Sequence, residues 1–199
     1  MKKIAKGSYG YTANHKKRQA VKTLIFFSLP LALVAVGLLS TNEKINLLAV
    51  IGMVGSLPAC KELVNLLIFL PRKSMDPSLY NTIHPHVESL VHVYELVLTT
   101  YEKNYPIDSM VISGSNLAAY STRKDLDTKA AENHIRKILK DNGLRQNVKI
   151  FTDLKHYLER ADALAAKTEK EEIPFTPDER YPQLTREELI MHLMLAISI

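Results

Sequence analysis

Residues 24–39, LIFFSLPLALVAVGLL, decide the fold class, because no charged side chain interrupts them and no polar face repeats along them. With residues 20–23 the run reaches the ~20 residues that a helix needs to cross a bilayer. Lys22 would then stand at the headgroup level, where its long stem can snorkel. A core helix of a globular protein carries a polar face over such a length. Pro30 is compatible with the reading, since membrane helices tolerate proline.

Toward the C-terminus a short polar link, residues 40–44, leads into a second apolar run, INLLAVIGMVGSLPA, residues 45–59. It meets Cys60, Lys61 and Glu62 and resumes as LVNLLIFL. If this run spans, residues 47–66 cross, Lys61 and Glu62 reach the headgroups paired or snorkelling, and residues 63–70 follow the interface. If the two charges stop it, it forms a re-entrant or interfacial helix. Gly52, Gly55 and Ser56 favour spanning, because they offer the small surface on which helices pack in lipid, with Ser28 and Ala32 placed to face it.

Toward the N-terminus, residues 1–22 hold Lys2, Lys3, Lys6, Lys16, Lys17, Arg18 and Lys22 and no acid. Arg72 and Lys73 follow the second run, while the link has only Lys44 against Glu43. The positive-inside bias therefore expects a multi-pass protein of the cell membrane with both termini cytoplasmic. A cleaved secretory signal at Ala35 and Gly37 is the rival reading, but a basic region this long is unusual for one. The basic tail also attracts anionic headgroups by about 1 kcal/mol per residue, which makes the lipid bilayer the first expected partner.

The net charge of +5 and pI near 9.2 belong to that tail. Residues 72–199 carry 17 Lys and Arg against 19 Asp and Glu. Such a balance lacks the positive field that phosphate backbones require, so no nucleic acid is expected as a ligand. Cys60 has no second cysteine to pair with.

The expected domains are a basic cytoplasmic tail at 1–22, a two-helix membrane anchor at 23–71, a linker at 72–84 and a small cytoplasmic α/β domain at 85–199. In the linker, RKSMDPSLYNTIHP is turn-rich, with two prolines. Val87, Leu90, Val91, Tyr94, Val97, Leu98 and Tyr101 repeat at helical spacing behind Pro85, which predicts a helix over 85–101. Residues 107–113 and 117–121, separated by Gly114, Ser115 and Asn116, read as a hairpin. A helix over 127–141 follows, stopped at Asn142-Gly143, then a buried strand at 148–151 and a helix capped by Thr152 or Asp153. Residues 168–183 read as an irregular charged arm. Thr185 and Glu188 form a capping box for a last helix, whose apolar face the domain's own core, a dimer partner or the bilayer surface must cover. The order α-β-β-α-β-α-α predicts a small α/β sandwich with about three strands.

Two segments invite a chemical reading. In HPHVESLVHVYE, residues 84–95, the residues Glu88, His92 and Glu95 would share one helical face near His84 and His86, a set that could hold a divalent metal. A solvated polar face predicts the same residues, and the spacing matches no metalloprotease signature, so no metal and no cofactor are expected. The turn at 113–116, with Arg123 and Lys124 downstream, could receive an anion. A hairpin turn needs the same residue types, and the glycine spacing of a P-loop is absent. No nucleophile elbow, dinucleotide fingerprint, CxxC pair or kinase set occurs, so catalytic residues stay unassigned.

Lys6-Gly7 with Gly10-Tyr11 and Lys16-Lys17-Arg18, then Leu57-Pro58-Ala59-Cys60-Lys61 with Val64-Asn65, resemble segments of uncharacterised two-helix membrane proteins of Gram-positive anaerobic bacteria. The resemblance covers mainly the anchor and implies both ends inside and no assigned activity. The function expected on these grounds is an interaction or scaffold module at the inner leaflet, binding a protein partner or forming a homo-oligomer. A membrane-associated nuclease or hydrolase with an unrecognised site in the α/β domain is the alternative.

Overall fold

The computed structural model describes residues 3–40, 47–100, 103–167 and 183–198. The chain divides into two compact units, Met1–Ile4 with Gly10–Ser74, and Ala5–Tyr9 with Met75–Ile199. Of the expected link between the apolar helices, residues 41–44 lie outside the described residues, as do residues 168–182 of the charged arm.

The first unit is helical: α1 (Tyr11–Ser40), α2 (Leu47–Gly55) and α3 (Leu57–Phe69). Because α1 starts at Tyr11, the basic residues from Lys16 to Lys22 are helical. The second apolar run breaks once, at Ser56, whose hydroxyl donates to the Met53 carbonyl at 2.6 Å just before Pro58 opens α3. Thr23, Pro30 and Gly37, seven residues apart, are buried on α1, and so are Ala49, Gly52, Ala59 and Glu62 on the returning run. This seven-residue recurrence is the pattern of helices packing along a seam.

Small side chains let the two backbones approach. A Cβ at Gly52 would stand 2.8 Å from Val34 Cγ2 and 3.0 Å from the Pro30 carbonyl oxygen. The expected partners of that small surface are thereby corrected. Ser28 and Ala32 are exposed, Gly55 meets nothing within 4 Å, and Pro30 and Val34 receive Gly52 instead.

The second unit contains α4 (Pro77–Val87), β1 (Val91–Thr99), β2 (Asn104–Ser113), β3 (Asn116–Tyr120), α5 (Thr128–Asp141), β4 (Asn147–Phe151), α6 (Leu154–Ala165) and α7 (Arg186–Ile197). Its sheet has four strands in the order β1-β2-β3-β4, antiparallel except for the parallel pair β3 and β4. Ile135 and Leu139 of α5 with Ile190 and Met194 of α7 share one core with Leu96, Leu98, Ile107, Met110 and Ile112. Ile83 and Val87 of α4 with Tyr157 and Ala161 of α6 share the other with Tyr94, Val111 and Ala118. The last helix therefore buries its apolar face in this unit's own core.

Two expectations fail here, and for related reasons. The helix predicted over 85–101 is the end of α4 followed by strand β1, which raises the sheet from three strands to four. Val91, Val93, Leu96 and Leu98 all join one core, so the inward positions run by two, then three, then two. The facing strand does the same with Tyr105, Ile107, Met110 and Ile112. At the change of phase Glu95 takes φ +54 and is skipped in the pairing, while the register keeps the same offset from Tyr94↔Ser109 to Leu96↔Ile107. A kink of this kind flips the inward face, and with both faces covered the residual alternation imitates a helical repeat. The other failure is the linker. Asp76 caps α4 by accepting the Ser78 N–H at 2.8 Å, with Pro77 in the first turn, so much of 72–84 is helix and Pro85 lies in its last turn.

Both sheet edges are closed. At β1 the Tyr94 N–H donates to the Gly7 carbonyl at 2.7 Å, and Leu98 bridges Ser198 farther along. Lys6 Nζ donates at 2.6 Å to the carbonyls of Leu195 and Ser198, neutralising the C-terminus of α7. At β4 the backbone groups turned away from β3 are taken by α5: the Ile150 N–H donates to Glu132 Oε1 at 2.9 Å, and Arg136 donates to the Val148 carbonyl at 2.6 Å. Edge strands left open invite pairing with other chains, and these contacts remove that template.

Candidate functional site

The residues considered for a metal do not assemble as one face. Glu88 caps the end of α4, while His92 and Glu95 belong to β1. Glu95 is buried and accepts the Met75 N–H at 3.0 Å, bracing the entry to α4. His86 pairs with Asp162 of α6 at 2.6 Å. Among the described residues no group of three or more His, Cys, Asp or Glu side chains is gathered to hold a metal ion.

What does form there is a stack of rings. Tyr9 lies on Tyr80 with centroids 4.0 Å apart, Tyr80 on His84 at 5.0 Å, and His92 meets His84 at 5.9 Å. His84 Nδ1 is 3.1 Å from the Tyr94 hydroxyl. Burial first, and the neighbouring Tyr80 and Glu88 second, push that hydroxyl above the ordinary tyrosine range. Tyr94 is therefore a neutral hydrogen-bonding partner, not a base. The hydroxyl of Ser109, the register partner of Tyr94 on β2, is buried against Tyr157 at 2.9 Å in the same core.

The turn considered for an anion is already occupied by protein groups. Gly114, at φ +52, donates its N–H to Glu187 Oε1 at 3.2 Å, and its carbonyl accepts from Gln146 Nε2 at 3.0 Å and from Arg186. Asn116 Oδ1 accepts from Arg160 at 2.9 Å. Arg123 pairs on the surface with Asp125 at 2.7 Å. The turn tethers α6 and α7 to the sheet, and its chemistry is spent on that.

The most concentrated polar arrangement outside the α/β unit sits between the apolar helices. Glu62, buried on α3, receives Lys22 Nζ on Oε1 at 2.7 Å and Gln19 Nε2 on Oε2 at 2.6 Å. The Thr23 hydroxyl donates to the Glu62 carbonyl at 3.2 Å. One helical turn or two nearer the N-terminus of α1, His15 stacks on Phe69 at 4.2 Å, and Lys16 Nζ donates to the carbonyls of Leu70 and Arg72. Past this level α1 runs from Leu24 to Leu39 without a charge, and α2 and α3 from Leu47 to Cys60 likewise. The sequence reading placed Glu62 beside a charge but missed that Lys22 is its partner. A signal existed: Lys22 and Glu62 are equidistant from residue 42, as are His15 and Phe69, so a hairpin folded about the link brings each pair together.

Tyr11–Leu39 and Leu47–Phe69 are both long and apolar enough to cross a membrane. No family model matches the chain, no curated protein is similar to it and no solved structure matches its fold, so the resemblance of the anchor segments rests on those residues alone.

Proposed function

We propose that the two apolar helices anchor the chain in the cell membrane with both termini cytoplasmic. The α/β domain then serves at the inner leaflet as an interaction or scaffold module for a protein partner or a second copy of the chain. One observation carries the anchor: every large hydrophobic side chain that stands exposed among the described residues lies between Val21 and Leu70, and Leu24, Leu29, Leu31 and Leu57 each exceed 60% exposure. Water does not leave such a surface uncovered on a folded helix pair, and hydrocarbon covers it at no cost. The Lys22–Glu62 level, with Lys16, Arg18 and Lys73 on its outer side, supports placing the interface there and the basic end inside.

The module reading rests on a compact, nearly neutral domain whose polar groups are spent on its own bracing. Since both sheet edges are closed, the partner meets a helix or loop surface, not a free strand. Single cysteines at positions 42 and 140 in a Cys60→Ser background test the placement in intact cells. Labelling by an impermeant maleimide at 42 alone is expected; labelling at 140 would put the domain outside.

A membrane-associated nuclease or hydrolase is the second reading, and Glu95 favours it. A buried acid held at φ +54 in mid-strand stores of order 1–3 kcal/mol, and such strain gathers at functional sites. Phosphodiester or ester turnover by the full chain that vanishes in Glu95→Gln, with the fold intact, would establish this reading over the first.

A further inference from the structure

We infer that the basic, cytoplasmic end of the anchor is a binding site for anionic phospholipid, its cationic side chains taking the headgroup phosphodiester and the exposed face of α3 taking the adjoining acyl chains. The inference rests on the membrane reading above and names the ligand of that surface.

Charge comes first. Among the described residues from Gly10 to Ser74 there are seven Lys and Arg, at 16, 17, 18, 22, 61, 72 and 73, against one acid, Glu62. That acid is already matched by Lys22 and Gln19. Lys16 is spent on neutral carbonyls, and no ion pair of the described residues reaches it. Lys17, Arg18, Lys61 and Lys73 are exposed, and no ion pair of the described residues reaches them.

Shape comes second. Glu62 bonded to Gln19 and Lys22, and Phe69 stacked on His15, set residues 62–69 of α3 beside residues 15–22 of α1. At that height α3 exposes Val64, Leu67 and Ile68, each more than half uncovered or close to it. Uncompensated cations and exposed aliphatic side chains therefore stand at one level. Free phosphate would need only the first, and a zwitterionic lipid offers the cations no net charge. An anionic phospholipid satisfies both.

The test uses the full chain reconstituted in nanodiscs of mixed phosphatidylcholine and phosphatidylglycerol, with retained lipid counted by native mass spectrometry after mild detergent release. The expected result is retention of phosphatidylglycerol well above its share of the bilayer. Each basic residue near an anionic surface is worth about fivefold in lipid partitioning, so Lys17→Gln or Arg18→Gln alone lowers the enrichment about fivefold. Lys17, Arg18, Lys61 and Lys73 all changed to Gln abolish it. Wild-type retention equal to the bulk composition, or enrichment unmoved in the quadruple variant, overturns the inference. So does loss of the enrichment on adding millimolar inorganic phosphate at constant ionic strength, which would mark a site for free phosphate. Alkaline carbonate extraction of the same samples keeps the two readings apart: release of the protein sinks the anchor itself, while retention without lipid preference sinks only this inference.

Discussion

The two units of this chain dispose of their apolar side chains in opposite ways. In the α/β unit Leu96, Leu98, Ile107, Ile112, Ile135 and Leu139 are at most 1% exposed, hidden between the helices and the sheet. In the helical unit Leu24, Leu31 and Leu39 face outward, and what is buried along the seam is Thr23, Gly37, Ala49, Gly52 and Ala59. A protein folded for water hides its large residues and leaves small ones where space is short. Helices folded for lipid do the reverse, because hydrocarbon solvates leucine as well as another leucine does, and attraction then comes from close backbone approach.

The contrast can be broken by mutation, and the largest effect lies in the α/β core. Leu98→Ala removes a fully buried side chain and should lower stability by about 2–5 kcal/mol in denaturant unfolding of the full chain, without changing its membrane fraction. Leu31→Arg is the converse: the residue is 62% exposed midway along the charge-free run 24–39, and an arginine there costs about 2.5–3.5 kcal/mol of insertion. Loss from the carbonate-resistant fraction is expected, and an unaltered distribution would mean that lipid does not cover this face.

The edges of the sheet sharpen the comparison, since only the α/β unit has strands to protect. Glu132→Ala leaves the Ile150 N–H without its acceptor and Arg136 without its counter-charge, at about 1–3 kcal/mol. It also reopens β4, so concentration-dependent association should appear in light scattering of the solubilised protein. Gly7→Ala forces a side chain into φ +84 and 2.8 Å from Leu195 Cδ2, costing about 1–2 kcal/mol. Faster hydrogen exchange at the Tyr94 amide, with the α5 amides unchanged, is the expected readout; equal protection would show that the segment before α1 does not hold the β1 edge.

The smallest effect is at the start of α7. Thr185→Ala should cost about 1 kcal/mol through loss of the capping box. The Thr185 N–H and hydroxyl hold the Glu188 carboxyl below the usual glutamate range. A lowered value in the folded state means that this carboxylate stabilises fully above the ordinary glutamate pKa, and the contribution is lost as pH falls through the lowered one. Glu188→Gln should flatten that part of the acid unfolding curve, and an unchanged slope would remove the cap from the account.

How far each unit could be read beforehand follows the same division. Charge-free runs are local facts, so both apolar helices were legible from residues 24–39 and 45–70, as was the capping box at Thr185. Asp153 as a cap, accepting the His156 N–H at 3.1 Å, was legible too. So was the end of α5, where the Leu144 N–H bonds back to the Leu139 carbonyl at 2.8 Å around Gly143 at φ +74. Residues 85–101 were not, because a strand covered on both faces keeps no polar side, and the kink at Glu95 replaces alternation by a spacing that a helix would share. The candidate chemistry failed with it, since Glu88, His92 and Glu95 share a face only if that segment is a helix.

What the sequence by itself determined is the partition of the molecule: an apolar pair of helices with its basic flank, then a mixed α/β region, each marked by composition and by residues acting on near neighbours. Only the tertiary structure decided which polar groups meet. Lys22 with Glu62, Gly7 with Tyr94, Lys6 with the end of α7, and Glu132 with the edge of β4 are separated by 18 to 192 residues or bridged by whole elements. Such partners are chosen by chain topology, through the need to satisfy every backbone group left at a helix end or a sheet edge, and that need is invisible until the ends and edges exist.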